Sequence, residues 1–237
     1  MQENQKKSLT KRNILILKII VEEYIKTWKV LWSKSLLMKY DLWVSPATIR
    51  NDMATLEKLG FIYQPYNSAW RLPSTKGLRA FVDYLMHQKP DFFLTNNENI
   101  IQNQNLKNFS DLSHRITYEL SNITKEISFI IIPEDNILEY NWVSFFLEKN
   151  YKILWENSFK ILKILEEKFN FIKFISSLAI NDWINIFIWE ENISSFFKNY
   201  TIILKTIKIE WKIAYIWIIW SLKMDYSFNI SAIRWIK

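Results

Sequence analysis

The stretch from Ser45 to Gly60 constrains this chain more than any other. Ser45 suits a helix N-cap, Pro46 suits the first helical position because its missing N–H needs no partner there, and Gly60 suits a left-handed C-terminal cap. Between them Ile49, Met53 and Leu56 recur at i, i+4 and i+7, so one stripe faces a core. Upstream, the spacing predicts a helix over Thr10–Thr27, carried by Ile14, Leu17, Val21, Tyr24 and Ile25, then a shorter one over Ser33–Tyr40 and a tight connection at Asp41–Val44. Downstream come a β run at Phe61–Tyr63, a polar loop at Pro65–Arg71, a return strand at Leu72, and a helix over Thr75–His87 striped by Leu78, Phe81, Val82 and Leu85. Helix, helix, turn, helix and hairpin is the order of a winged helix-turn-helix, expected over residues 1–89.

Burying Ile49, Met53 and Leu56 leaves Ala47, Arg50, Asn51 and Ala54 on the opposite face. Small residues there allow close approach to a groove, while Arg and Asn side chains suit guanine and adenine edges. Ser45 and Thr48, at the helix N-terminus, suit phosphate contacts, and Asp52 is expected to form a local structural bond. Ser33 and Lys34, opening the second helix, are further candidate phosphate contacts. Asn67 and Arg71 fit a wing lying along the backbone or minor groove. Charge points the same way: residues 1–89 carry 15 Lys+Arg against 7 Asp+Glu, while the whole chain has a formal net charge of +7. A positive balance confined to the first third suits a polyanion.

Other chemistries are poorly supplied. With no Cys, disulfides, thiolate zinc sites and cysteine nucleophiles are excluded, and with two His no multi-histidine metal site is expected. No phosphate loop or nucleophile–base pairing is visible, so neither catalysis nor a cofactor is expected. The longest apolar run, Ile213–Leu222, is too short to span a bilayer and the N-terminus is polar, which gives an expectation of a cytoplasmic chain without membrane contact.

Residues 90–110, rich in Asn and Gln, read as a linker. Beyond it, residues 111–237 are expected to form an α+β domain with a mainly antiparallel sheet: a helix over Asp111–Asn122, strands at Ile127–Ile132 and Asn141–Leu147, a helix over Glu156–Phe169, and strands at Ile184–Trp189, Tyr200–Ile207 and Lys212–Ile219. Glu190, Glu191 and Asn192 form the one compact polar cluster. They are the place to look for the rival reading, a winged-helix regulator whose C-terminal domain senses a small metabolite.

Taken together, TWKVLWSKSL, DLWVSPATIRNDMATLEKLGFI, QPYNSAWRLPSTKGLRAFVDYLM, LSNIT, IWEEN and WKIAYIWIIWSLKMDY closely resemble the HrcA family of bacterial heat-shock repressors. The resemblance implies a homodimeric repressor of chaperone genes that binds an inverted-repeat operator in double-stranded DNA and is kept active by a GroEL-type chaperonin. It also implies a GAF-like second domain interrupted by a dimerisation insertion, for which Asn136–Phe169 is short. The family's closing Pro-x-Arg-Met-x-Tyr stands here as Leu222, Lys223, Met224, Asp225, Tyr226, without the proline and arginine.

The resemblance locates an anomaly of composition. The chain has 2 Gly and 12 Trp, where average usage would supply roughly 17 Gly. Trp28, Trp32, Trp43, Trp70, Trp189, Trp211, Trp217 and Trp220 stand where the family has glycine. Trp43 falls in the turn and Trp70 at the wing tip, places that favour positive φ. The pattern implies a source that reads UGA as glycine, with the codon rendered here as Trp; Trp142, Trp155, Trp183 and Trp235 are not assigned by it.

Overall fold

The computed structural model describes residues 9–27, 44–65, 71–88, 109–144, 162–163, 165–177, 184–192, 197–198, 200–209, 211–220 and 223–236. The chain divides into two compact units, Met1–Gln88 and Lys89–Lys237. The expected helix over Ser33–Tyr40, the turn holding Trp43, the wing tip with Trp70 and nearly all of the stretch read as a linker lie outside the described residues.

In the first unit, α1 (Lys11–Thr27) opens on a reciprocal cap: the Thr10 hydroxyl accepts from the Asn13 N–H at 3.1 Å, and the Asn13 side-chain oxygen accepts from the Thr10 N–H at 3.2 Å. Its buried face is broader than the sequence stripe, with Ile16, Ile19 and Ile20 joining Leu17 and Val21, while Ile14, Tyr24 and Ile25 are only half-buried. A stretch over Ile14–Val21 that is apolar except for Lys18 hides the helical phase, and packing against two neighbouring helices uses the wider arc. α2 (Pro46–Lys58) buries Ile49, Met53 and Leu56 against α1.

A two-residue hairpin, β1 (Ile62–Tyr63) and β2 (Leu72–Pro73), then leads into α3 (Thr75–His87), whose Leu78, Phe81, Val82 and Leu85 are buried as the spacing predicts. Both glycines serve this junction. Gly60 takes φ +75 just past α2, a conformation that strains residues carrying a Cβ. Gly77 lies so close to the β1 approach that a Cβ would stand 2.0 Å from the Phe61 carbonyl oxygen.

The second unit is α+β with an entirely antiparallel five-stranded sheet of order β4-β3-β7-β6-β5. Its strands are β3 (Ile127–Ile132), β4 (Ile137–Asn141), β5 (Ile184–Ile188), β6 (Thr201–Ile209) and β7 (Lys212–Trp220). The expected strand at Asn141–Leu147 is displaced: a turn at Pro133–Asp135 with Asn136 in the left-handed region returns the chain at once, so β4 pairs from Ile137 and ends at Asn141. Of the expected helix over Glu156–Phe169, residues 156–161 and 164 lie outside the described residues and residues 162–163 and 165–166 are helical; a helix, α5, then runs over Lys168–Ser177, with Phe171, Ile172 and Ile175 buried and Phe169 exposed.

Alternate residues of the sheet serve opposite layers. On one face lie α4 (Phe109–Thr124) and α6 (Tyr226–Trp235). There the Ser128 hydroxyl, at 0% exposure, donates to the Thr117 carbonyl at 2.6 Å, and the Thr201 and Tyr226 hydroxyls meet at 2.9 Å. On the other face Phe129 and Trp217, directly opposed on β3 and β7, pack with Phe171 of α5 and with Phe197; the Trp217 and Phe171 rings are 4.8 Å apart. Among the described residues, four other than glycine take positive φ: Lys125, Asn136, Trp142 at +70 and Trp189 at +50.

Candidate nucleic-acid interface

The start of α2 is built from its sequence as expected of a strong helix signal. Ser45 is extended (φ −71, ψ 155), its hydroxyl accepts the Thr48 N–H at 3.1 Å, and Pro46 sits where no N–H is needed. The same hydroxyl lies 2.9 Å from that of Thr48, so both are anchored at the helix start. Because Ile49, Met53 and Leu56 are drawn inward, Ala47, Arg50, Asn51 and Ala54 are all exposed and share the outer face. The Arg50 guanidinium makes a long 3.4 Å bond back to the Pro46 carbonyl, and the Asn51 side chain projects into solvent.

Asp52, next along the helix, turns inward, and its bond is not local. One oxygen accepts Arg12 Nε at 2.6 Å; the other accepts Arg12 Nη2 at 3.3 Å and Asn13 Nδ2 at 3.1 Å. The ion pair raises the Arg12 pKa above its ordinary value, chiefly through the hydrogen bond to Asp52. This joint between α1 and α2 spans forty residues of sequence. No periodicity argument would have found it.

At the other end, α2 is clipped to α3. The Ser74 hydroxyl donates to the Gly60 carbonyl at 2.6 Å, Lys76 Nζ donates to the Leu59 carbonyl at 2.8 Å, and the Ser74 N–H donates to the Phe61 carbonyl at 3.0 Å. Arg71, on the return side of the hairpin, pairs with Glu57 of α2 at 2.9 Å and is mostly shielded. It is therefore held at the hairpin base. Ser33, Lys34 and Asn67 lie outside the described residues.

In the second unit the Glu190–Asn192 cluster is a turn device. The Asn192 amide donates to the carbonyls of Trp189, Phe197 and Tyr200, each at 2.8 Å, and the Glu191 carboxylate accepts the Ile188 N–H at 2.9 Å. The Asn192 amide nitrogen and this Glu191 oxygen are thus spent on the loop itself. Among the described residues no cluster of three His, Asp or Glu could hold a metal ion, and no helix is long and apolar enough to cross a membrane.

The chain is 39% identical over 129 residues to the heat-inducible transcription repressor HrcA of Alkaliphilus metalliredigens (strain QYMF), a match covering 53% of this chain and 37% of that protein. It is 51% identical over 82 residues, 35% of this chain and 24% of that protein, to the repressor of the same name from Thermobifida fusca (strain YX). Over these stretches the chain is similar to HrcA repressors. The matched stretch spans well under half the length of these HrcA proteins, 37% and 24%. No family model matches. Among solved structures, the crystal structure of a hypothetical protein at 2.2 Å resolution superposes with a TM-score of 0.76 at 18% identity, covering 97% of this chain and 96% of that one. That likeness concerns fold alone.

Proposed function

We propose that the chain is a DNA-binding transcriptional repressor of heat-shock genes, in which the first unit is a winged helix-turn-helix and the second a GAF-like regulatory and dimerisation domain. The observation that carries this reading is the α2 face: two alanines, an arginine and an asparagine exposed on a well-capped helix whose other side is locked into a core. Such a helix can enter the major groove and read base edges, with Ser45 and Thr48 at the phosphates. Similarity to the HrcA repressors supplies the regulated process. Ser33, Lys34, Asn67 and Arg71 complete the proposed contact set, Arg71 from its place beside Glu57.

One recognition helix covers a half-site, so the repressor acts as a homodimer on an inverted repeat, with the GroEL-type chaperonin as its proposed folding partner. The metabolite-sensing alternative draws little from Glu190–Asn192, where the Asn192 amide nitrogen and a Glu191 oxygen bind the turn's own backbone. The test is fluorescence anisotropy at fixed salt. Arg50→Ala should lose about 1–3 kcal/mol on a duplex selected by the wild-type chain and much less on a scrambled duplex. Equal losses on both would remove Arg50 from base reading.

A further inference from the structure

Arg12 is the one element of the α1–α2 joint whose chemistry the fold does not use up. Its guanidinium presents one edge, Nε and Nη2, to the Asp52 carboxylate. A guanidinium carries five N–H donors in a rigid plane, so the Nη1 edge points away from that partner. The Arg12 side chain is 50% exposed while that of Asp52 is 10% exposed: the carboxylate belongs to the interior and the cation to the surface. Asp52 follows Asn51 directly on α2, which sets this surface cation at the flank of the exposed α2 face. Lys11 beside it is exposed as well.

As a stabilising device the pair is weak, since half-exposed ion pairs contribute little. As a positioning device it is strong. Arg12 has a long, freely rotating side chain, and two bonds to a buried carboxylate, itself fixed by Asn13, hold its plane in one orientation. Fixing a cation in advance removes the side-chain ordering cost that a phosphate contact otherwise carries.

We propose that Arg12 is a DNA backbone contact, with its outer edge on a phosphate flanking the α2 helix and with Asp52 as its positioning residue. The inference rests on the repressor reading above. It assigns a contact to α1, an element outside the recognition helix and the wing.

The experiment measures anisotropy of the full chain on two duplexes, an inverted repeat selected from a random pool by the wild-type chain and a scrambled duplex of equal composition, between 50 and 200 mM salt. Arg12→Gln keeps a donor for Asp52 and removes the charge. Loss of one phosphate contact from each protomer of the dimer lowers the salt slope by about 1.8 and weakens binding about sixtyfold at 0.1 M salt, equally on both duplexes. Arg12→Lys should keep the slope while weakening binding, because the charge stays and the fork is lost. Asp52→Asn should do the same by releasing a cation that is still present. A thermal melt of each variant checks folding. If Arg12→Gln binds as wild type while its melting temperature falls, the pair is structural and the proposal is overturned, with the repressor reading intact. A loss confined to the selected duplex overturns it too, by making Arg12 a base reader. Wild-type chain that binds neither duplex overturns both readings.

Discussion

Replacing Gly77 with alanine sets helix propensity against close packing, and the two predict opposite signs. Gly77 lies in the first turn of α3, where alanine is better than glycine by about 1 kcal/mol on propensity alone. In the folded chain, however, the new Cβ would stand 2.0 Å from the Phe61 carbonyl oxygen and 3.1 Å from its carbon, both backbone atoms. That carbonyl also accepts the Ser74 N–H at 3.0 Å, so moving it loosens the residue that caps α3. Overpacking costs about 1–3 kcal/mol and a weakened hydrogen bond about 1 kcal/mol. After the propensity gain the expected net loss is about 1–3 kcal/mol. Gly60→Ala is the companion, since there a Cβ meets nothing within 4 Å and only the φ of +75 opposes it, at about 1–2 kcal/mol. Urea unfolding of the full chain, monitored by tryptophan fluorescence, reads both. A Gly77→Ala chain as stable as wild type or more so would refute the steric argument and show that the α2–α3 junction yields freely.

Three further outcomes follow from the same geometry. Ser45→Ala should cost about 1 kcal/mol by removing the acceptor for the Thr48 N–H, whereas Ser45→Asp should keep most of it; paired melts measure the difference. Burial raises the Tyr200 phenol above its ordinary value, so stability is full below the unfolded pKa of about 10 and falls as pH rises beyond it; Tyr200→Phe should flatten that alkaline decline in melts between pH 9 and 11. At Trp189 the glycine variant should be more stable than the alanine variant by about 1 kcal/mol, while at Trp217 alanine should be the better of the two, as denaturant titrations of the four chains will tell.

What the sequence disclosed was local. The cap at Ser45, the proline behind it and the stripe Ile49, Met53, Leu56 act within one helix, so α2 and its exposed Arg50 and Asn51 could be read directly. The antiparallel sheet was legible for a similar reason: runs such as Ile127–Ile132 are apolar but for Ser128, and all six of those residues are buried. Contacts made across the chain were not legible. Arg12 and Asp52 meet only because α1 packs on α2, and Arg71 turns to Glu57 because the hairpin folds back on the same helix. The β4 boundary was missed because Asn136, in a left-handed turn, reverses the chain several residues before the apolar run that suggested a strand.

The tryptophans, which composition treats as one anomaly, divide by physical circumstance. Trp189 and Trp142 follow directly on β5 and β4, with φ of +50 and +70. In that region a Cβ crowds the backbone and glycine is at ease, whatever the side chain touches. Trp142 thereby joins the glycine-like positions, although family resemblance left it unassigned. Trp217 and Trp220 are the reverse case, 1% and 6% exposed on β7, where the Trp217 indole fills the space among Phe129, Phe171 and Phe197. Removing that ring from this chain opens a cavity, a cost of about 3–5 kcal/mol. Trp211, 74% exposed at the β6–β7 turn, carries neither burden. A glycine chain is therefore relieved of strain at the strand ends and deprived of packing at the sheet centre. The balance between those effects depends on whether α5 can settle onto β7 once the indole is gone.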